Sequence, residues 1–208
     1  MRVHRSHCPS SAMSIYIVRH GETDWNREGI YQGHTDTPLN EDGRKTAERL
    51  GRTLSKIKIS CIYSSDLLRA RETAEIINRF LNVPVCYTQD LRELNFGDWT
   101  GISIWEMEEK DPELFRRWQE DPWNISPPGG ETFRELTERV MNILEEITRR
   151  HRDEDVLIVS HAGPIKAMIF GLISATGRAY WNIKISHNTV VIIDRDTDYR
   201  ISMTEIPL

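Results

Sequence analysis

Ser14-Ile-Tyr-Ile-Val-Arg19 is an apolar run that stops at His20-Gly21, and Val156-Leu-Ile-Val-Ser160 is a second that stops at His161-Ala-Gly163. Each reads as a buried strand, broken within two residues of a histidine by a glycine. Between and around them the period changes to that of helices. Asn40 is placed to cap a helix over about 41–56, with Ala47, Leu50, Leu54 and Ile57 on one face. Cys61-Ile-Tyr63 reads as a short strand, and Ser64 and Ser65 as caps of a helix running to about Phe80. Residues 83–87 form a third strand, which Pro84 places at its own start or at a sheet edge. A long amphipathic helix is expected over about 131–151. A further helix, apolar nearly all round, is expected over 164–175 with Pro164 as its first residue. Residues 189–194 and 200–204 read as a hairpin around a charged turn at 194–198. Strands alternating with helices imply an α/β fold, a three-layer α/β/α sandwich with a mostly parallel sheet.

Residues 90–130 break this rhythm. They hold four of the six tryptophans (Trp99, Trp105, Trp118, Trp123) and end in Pro127-Pro-Gly-Gly130. A short helical cap inserted over about 95–130 is expected within a single domain spanning 13–208. The first twelve residues are polar and basic, lack the apolar run of a secretory signal, and read as a disordered extension ahead of a true start at Met13.

At 208 residues and 38% hydrophobic, the chain has enough apolar mass for a core, which excludes collagen, disordered and disulfide-scaffold classes. No window approaches the eighteen or so apolar residues of a membrane span. With 27 basic against 32 acidic residues the net charge is -5, which argues against non-specific nucleic-acid binding. A bound anion must therefore be held by a local cluster. Three cysteines without a Cys-x-x-Cys pair point to reduced thiols and a cytoplasmic protein, with Cys61 and Cys86 as small core residues.

The two histidines carry the chemistry. In a parallel sheet, ligands bind beyond the carboxyl ends of the strands. Two histidines there can face one pocket, and the neighbouring glycines let backbone N–H groups approach an oxyanion. Either histidine alone could simply end a strand on a buried carbonyl; the matched pair favours a phosphate site. Arg19 closes an apolar strand, where a guanidinium meets either an anion or a surface carboxylate. Arg69, four residues past Ser65, can point back over the strand ends. His34 and His187 are isolated, and no metal-ligand spacing is present.

Val18-Arg-His-Gly-Glu-Thr-Asp-Trp-Asn26 resembles the signature of the histidine phosphatase superfamily, the phosphoglycerate mutase-like proteins. The resemblance continues through Tyr31-Gln-Gly33, Tyr63-Ser-Ser-Asp-Leu-Leu-Arg-Ala-Arg-Glu-Thr-Ala74, Leu91-Arg-Glu-Leu94, Pro128-Gly-Gly-Glu131 and Ser160-His-Ala-Gly163. It implies that His20 is a nucleophile that becomes phosphohistidine, and that Arg19, Arg69, His161 and Asn26 surround the phosphoryl group. Glu93 would be the proton donor, and Gln32 and Gly33 would lie in the substrate-contacting turn. Ala162 stands where many relatives have glycine; only its backbone N–H is needed there.

Such a set needs no metal and no cofactor: a neutral imidazole attacks, cationic donors take the charge, and a carboxylic acid raised by burial protonates the leaving oxygen. Without the resemblance, Glu93 would read as a surface partner of Arg92. The resemblance also covers mutases, but those carry a longer insertion between the glutamate and the second histidine than the 68 positions found here. The short cap points to the phosphatase branch, similar to alpha-ribazole and metal-independent phosphoserine phosphatases. Phosphoglycerate mutase stays as an alternative, because Arg116-Arg117 sits where mutases hold a substrate carboxylate; a solvated helix face explains the pair equally. A non-catalytic phospholigand-binding module is the alternative from another class. The expected partner is a small phosphorylated metabolite. The chain is expected as monomer or homodimer, with Phe170, Ile173 and Trp181 at either a dimer surface or the core.

Overall fold

The computed structural model describes residues 13–175, 177–195 and 199–207. The expected extension over 1–12, with His4, His7 and Cys8, lies outside the described residues, as do 196–198 of the charged turn. In chain order the elements are β1 (Ser14–Arg19), α1 (Asp24–Glu28), α2 (Glu41–Leu54), β2 (Ile59–Ser65), α3 (Leu68–Leu81) and β3 (Val85–Thr88). Two short 3-10 turns, α4 (Ile104–Lys110) and α5 (Pro112–Glu120) then fill the Trp-rich segment. They are followed by α6 (Phe133–Arg150), β4 (Asp155–Ser160), α7 (Ala162–Leu172), a third 3-10 turn, β5 (Thr189–Arg195) and β6 (Tyr199–Glu205).

The strands form one sheet in the order β3-β2-β4-β1-β5-β6. Pairing is parallel from β3 through β1, and only β5 runs against its neighbours. Four consecutive residues of β4, Val156–Val159, are fully buried, as a central strand covered on both faces requires. The period of two sorts its side chains. Leu157 and Val159 join Val18 and Ile62 beneath α2 and α3 (Leu50, Leu54, Ala70, Ile77). Val156 and Ile158 join Ile15 and Ile17 beneath α6 and α7 (Leu136, Val140, Leu144, Ile165). The result is the expected three-layer α/β/α sandwich, with each buried Leu or Ile contributing about 1.5–3 kcal/mol.

Local chemistry explains where elements start. Asn40 accepts the Gly43 N–H at the head of α2, and Thr132 with Glu135 forms a capping box at the head of α6. Three expectations are corrected. Ser64 and Ser65 do not cap α3: both continue β2, paired to Val159 and Thr88, and α3 starts at Leu68 without a side-chain cap. Pro164 is the third residue of α7, because the helix begins at Ala162, directly after an extended His161 that makes no side-chain cap. Cys86 is exposed while Cys61 is buried, because β3 is an edge strand.

In the cap, Trp99 and Trp118 are buried and pack edge-on 5.3 Å apart, with Phe115 and Phe96 against them. They dock the cap to the body, whereas Trp105 points into solvent, 76% exposed. Phe170 belongs to the core and Ile173 is exposed.

Candidate active site

The parallel register of β1 and β4 ends level, with Arg19 opposite Ser160. His20 and His161 therefore leave the same edge of the sheet; the His20 N–H donates to the Ser160 carbonyl at 2.8 Å and the ring centroids lie 5.0 Å apart. The loop after His20 is held by a close backbone crossing. A Cβ on Gly21 would run into the Gly43 carbonyl, and one on Gly43 into the backbone of Glu22, so both positions need glycine.

His20 is buried, and its Nδ1 lies 2.7 Å from the Gly21 carbonyl. A carbonyl only accepts, so Nδ1 carries the proton and Nε2 keeps its lone pair. That nitrogen faces Arg69, whose Nε donates to it at 3.3 Å. Burial first, then the charges of Arg69 and the neighbouring groups, holds the His20 pKa well below the usual imidazole value. The chain thus keeps a neutral, oriented nitrogen nucleophile.

Arg69 is fully buried and tied by the Thr35 and Gly33 carbonyls, both at 2.8 Å. Burial lowers its pKa to about 10, which still leaves it charged. Gly33 is thereby a positioning residue in the turn, at a φ of 47°. Arg19 donates from Nη1 to the Ile185 carbonyl at 2.9 Å, while its buried Nε has no partner. His161 bonds Ser65 Oγ through Nε2 at 2.8 Å, and its buried Nδ1 also lacks a partner. Burial, then Arg69 and Arg19, pushes the His161 pKa far down, so positive charge at this end comes from the two guanidiniums. Two orphaned buried nitrogens cost free energy unless an acceptor such as a phosphoryl oxygen meets them.

Glu93 is not paired with Arg92, which makes a two-pronged pair with Asp66 at 2.7 and 2.6 Å. Its carboxylate accepts the Leu94 N–H at 2.8 Å and the Gly163 N–H at 3.1 Å, which brings it to the start of α7 beside the pocket. Its backbone carbonyl is held by His34 at 2.8 Å and by Arg139 at 3.3 Å. Arg139 in turn is anchored by Glu131 at 2.6 Å.

Arg19, His20, Arg69, Glu93 and Gly163 line a pocket of about 320 Å³, and His161 sits behind that lining with its ring against His20. Asn26, Gln32 and Ala162 also line it. The Asn26 side-chain oxygen caps α1 by accepting from Thr23, which leaves its amide N–H2 as the donor. Gln32 is fixed by Thr23 and Thr37. Beyond the phosphate-sized end the walls are Tyr31, Trp118, Tyr180 and Trp181, with Lys166 among them. Arg116 and Arg117 lie outside it on the exposed face of α5, Arg116 paired with Glu113 at 2.9 Å and Glu120 at 3.0 Å. The outward face of that amphipathic helix explains the correction. A larger groove of about 820 Å³ between α6 and the β5–β6 hairpin, lined by Met141, Arg149 and Tyr199 among others, brings none of these groups together.

Sequence reasoning missed His187, whose Nδ1 meets the His20 carbonyl at 2.7 Å and whose ring lies 5.6 Å from that of His20. The antiparallel pairing of β5 with β1 puts the start of one beside the end of the other, a signal that exists only once the pairing is known. Burial and then Arg19 lower its pKa to about 4. Ser65, His34, Arg139, Lys166 and the Tyr180 and Trp181 side of the aromatic wall were missed for the same reason, whereas Trp118 is one of the four cap tryptophans whose positions suggest either an aromatic pocket or cap packing, and it does both. Among the described residues, no group of three or more His, Cys, Asp or Glu side chains is arranged to hold a metal ion, and no helix is long and apolar enough to cross a membrane.

The chain is 36% identical to Phosphoserine phosphatase 1 of Hydrogenobacter thermophilus over 181 residues, covering 87% of this chain and 86% of that protein. It is 30% identical to the adenosylcobalamin/alpha-ribazole phosphatase of Escherichia coli, over 88% of this chain and 90% of that one. The solved structure of Bacillus stearothermophilus YhfR superposes with a TM-score of 0.86 at 34% identity, covering 92% of this chain and 96% of that chain. Residues 15–204 match the sequence profile of the histidine phosphatase superfamily (branch 1). With that match spanning nearly the whole sheet and both histidine-bearing strand ends, the chain belongs to the histidine phosphatase superfamily and is a phosphatase of that fold.

Proposed function

We propose that the protein hydrolyses phosphomonoesters of small metabolites without a metal, through a phosphohistidine formed on His20. The observation that carries this reading is the nucleophile's geometry: Nδ1 committed to the Gly21 carbonyl, and Nε2 presented to Arg69 in a pocket that Arg19 also lines, with the His161 ring packed 5.0 Å from that of His20. In the first half-reaction the His20 Nε2 lone pair attacks phosphorus and the P–O bond to the leaving group breaks. Glu93 in its acid form gives that oxygen a proton. In the second, water attacks phosphorus, its proton passes to the Glu93 carboxylate, and the P–N bond breaks, returning both residues to their starting states. Arg19, Arg69 and Asn26, with the orphaned His161 nitrogen, take the charge on the three transferring oxygens, the largest contribution to the rate.

The test is hydrolysis of p-nitrophenyl phosphate in EDTA by wild type and by His20→Ala. The expected loss is about 10³-fold or more, with wild-type label trapped as acid-labile, alkali-stable phosphoenzyme; equal rates rule the mechanism out. Incubation with 3-phosphoglycerate and 2,3-bisphosphoglycerate checks direction: isomerisation faster than phosphate release would make the chain a mutase. The exposed, acid-paired setting of Arg116 weighs against that outcome.

A further inference from the structure

Lys166 lies three residues beyond Gly163 on α7, hence on the same helix face and about one turn further out from the contact between Gly163 and Glu93. Its ammonium sits 4.5 Å from the Tyr180 ring centroid and 6.0 Å from that of Trp181, and the side chain lines the pocket. The two rings hold the cation from its apolar sides. None of the ion pairs formed among the described residues includes it. Glu93 acts on it only from further off, and burial outweighs that attraction, lowering the lysine pKa.

The other cations lining the pocket, Arg19 and Arg69, are tied to carbonyls at the phosphoryl end. The exposed pair expected to hold a substrate carboxylate, Arg116 and Arg117, does not reach the pocket. A half-desolvated ammonium with aromatic faces on its flanks and no anion of its own is a receptor for one. A single lysine suits a monoanion; a second phosphate dianion would call for several donors, as the phosphoryl end supplies.

We propose that Lys166 binds a carboxylate on the substrate, so that the pocket selects phosphate esters of hydroxy or amino acids over esters that are anionic only at the phosphoryl group. The proposal rests on the phosphatase reading above. A carboxylate two or three bonds from the ester oxygen matches the single helical turn between Lys166 and Gly163, whose N–H holds Glu93.

Two matched pairs test it, each differing at the carboxylate: O-phosphoserine against O-phosphoethanolamine, and 3-phosphoglycerate against glycerol 3-phosphate. The wild type is expected to favour the acid in each pair by about tenfold or more in kcat/KM, mainly through KM. Lys166→Met keeps the stem and removes the charge, and should collapse that ratio toward one; Lys166→Arg should restore most of it. No preference in the wild type, or an unchanged ratio in Lys166→Met, overturns the proposal. Calorimetric binding of the same four compounds to His20→Ala keeps the two readings apart. If wild-type turnover fails but the acids bind more tightly through Lys166, the phosphatase reading falls and the carboxylate site stands. If turnover depends on His20 but the ratio ignores Lys166, the reverse holds.

Discussion

Replacing Gly163 by alanine isolates the contribution of Glu93 without touching a charged group. Gly163 is helical, so alanine costs nothing in backbone strain, and a helical Gly→Ala change stabilises by up to about 1 kcal/mol. A Cβ there, however, would fall on the Glu93 Oε1 that the Gly163 N–H now holds, and would stand 3.4 Å from Glu93 Cδ and Leu136 Cδ2. To regain van der Waals separation the carboxylate must retreat by roughly 1 Å, which is the far end of a side chain moving and costs little in stability. In catalysis, a displacement of about 1 Å costs on the order of 10²-fold. The assay is kcat/KM, which reports steps through transfer to His20, measured on an alkyl phosphate and on p-nitrophenyl phosphate. The alkyl leaving group needs a proton and should lose about 10²-fold; nitrophenolate leaves unaided and should lose less than about tenfold. The melting temperature should hold within a few degrees. Equal losses on both substrates, or an alkyl ester turned over within twofold of wild type, would refute the assignment of Glu93 as the acid.

Three further outcomes follow from the geometry. His187 is buried neutral with its pKa lowered to about 4, against about 6.5 when unfolded, so the unfolded chain binds the extra proton and stability falls as pH drops from 6.5 toward 4. Urea titrations at pH 7 and pH 5 should show His187→Asn losing about 2 kcal/mol less than wild type over that interval, and an identical loss would place the acid sensitivity elsewhere. Arg69→Lys keeps a charge but cannot serve the Thr35 and Gly33 carbonyls together with His20 Nε2, so kcat should still fall by about 10²-fold; recovery to near wild type would show that charge alone suffices. Trp118→Ala should destabilise by about 3–5 kcal/mol and Trp105→Ala by less than about 0.5 kcal/mol in thermal melts, because only the first is buried.

Much of this protein is readable before folding. The apolar runs ending at His20 and His161 are short, continuous and punctuated by glycine, and such strands pair in parallel under helices whatever surrounds them. Asn40 and Thr132 cap their helices through contacts three residues away, which local sequence contains. Ser64 and Ser65 misled because the same residue type serves as a cap or as a strand end, and pairing to Val159 and Thr88 decided between them. Arg116 and Arg117 misled because a motif position says nothing about which way a helix face turns.

The sequence alone determined the layers, the strand ends and the residue types fit for phosphoryl transfer, since periodicity and punctuation act over a few residues. Only tertiary structure decided that His187 backs the nucleophile, that Arg139 and His34 hold Glu93 by its carbonyl, and that Lys166 stands among aromatic rings. Those contacts join residues that the chain separates by 46 to 167 positions, in the case of Arg139, His34 and His187. Burial and charge act through space, and no spacing along the chain records them.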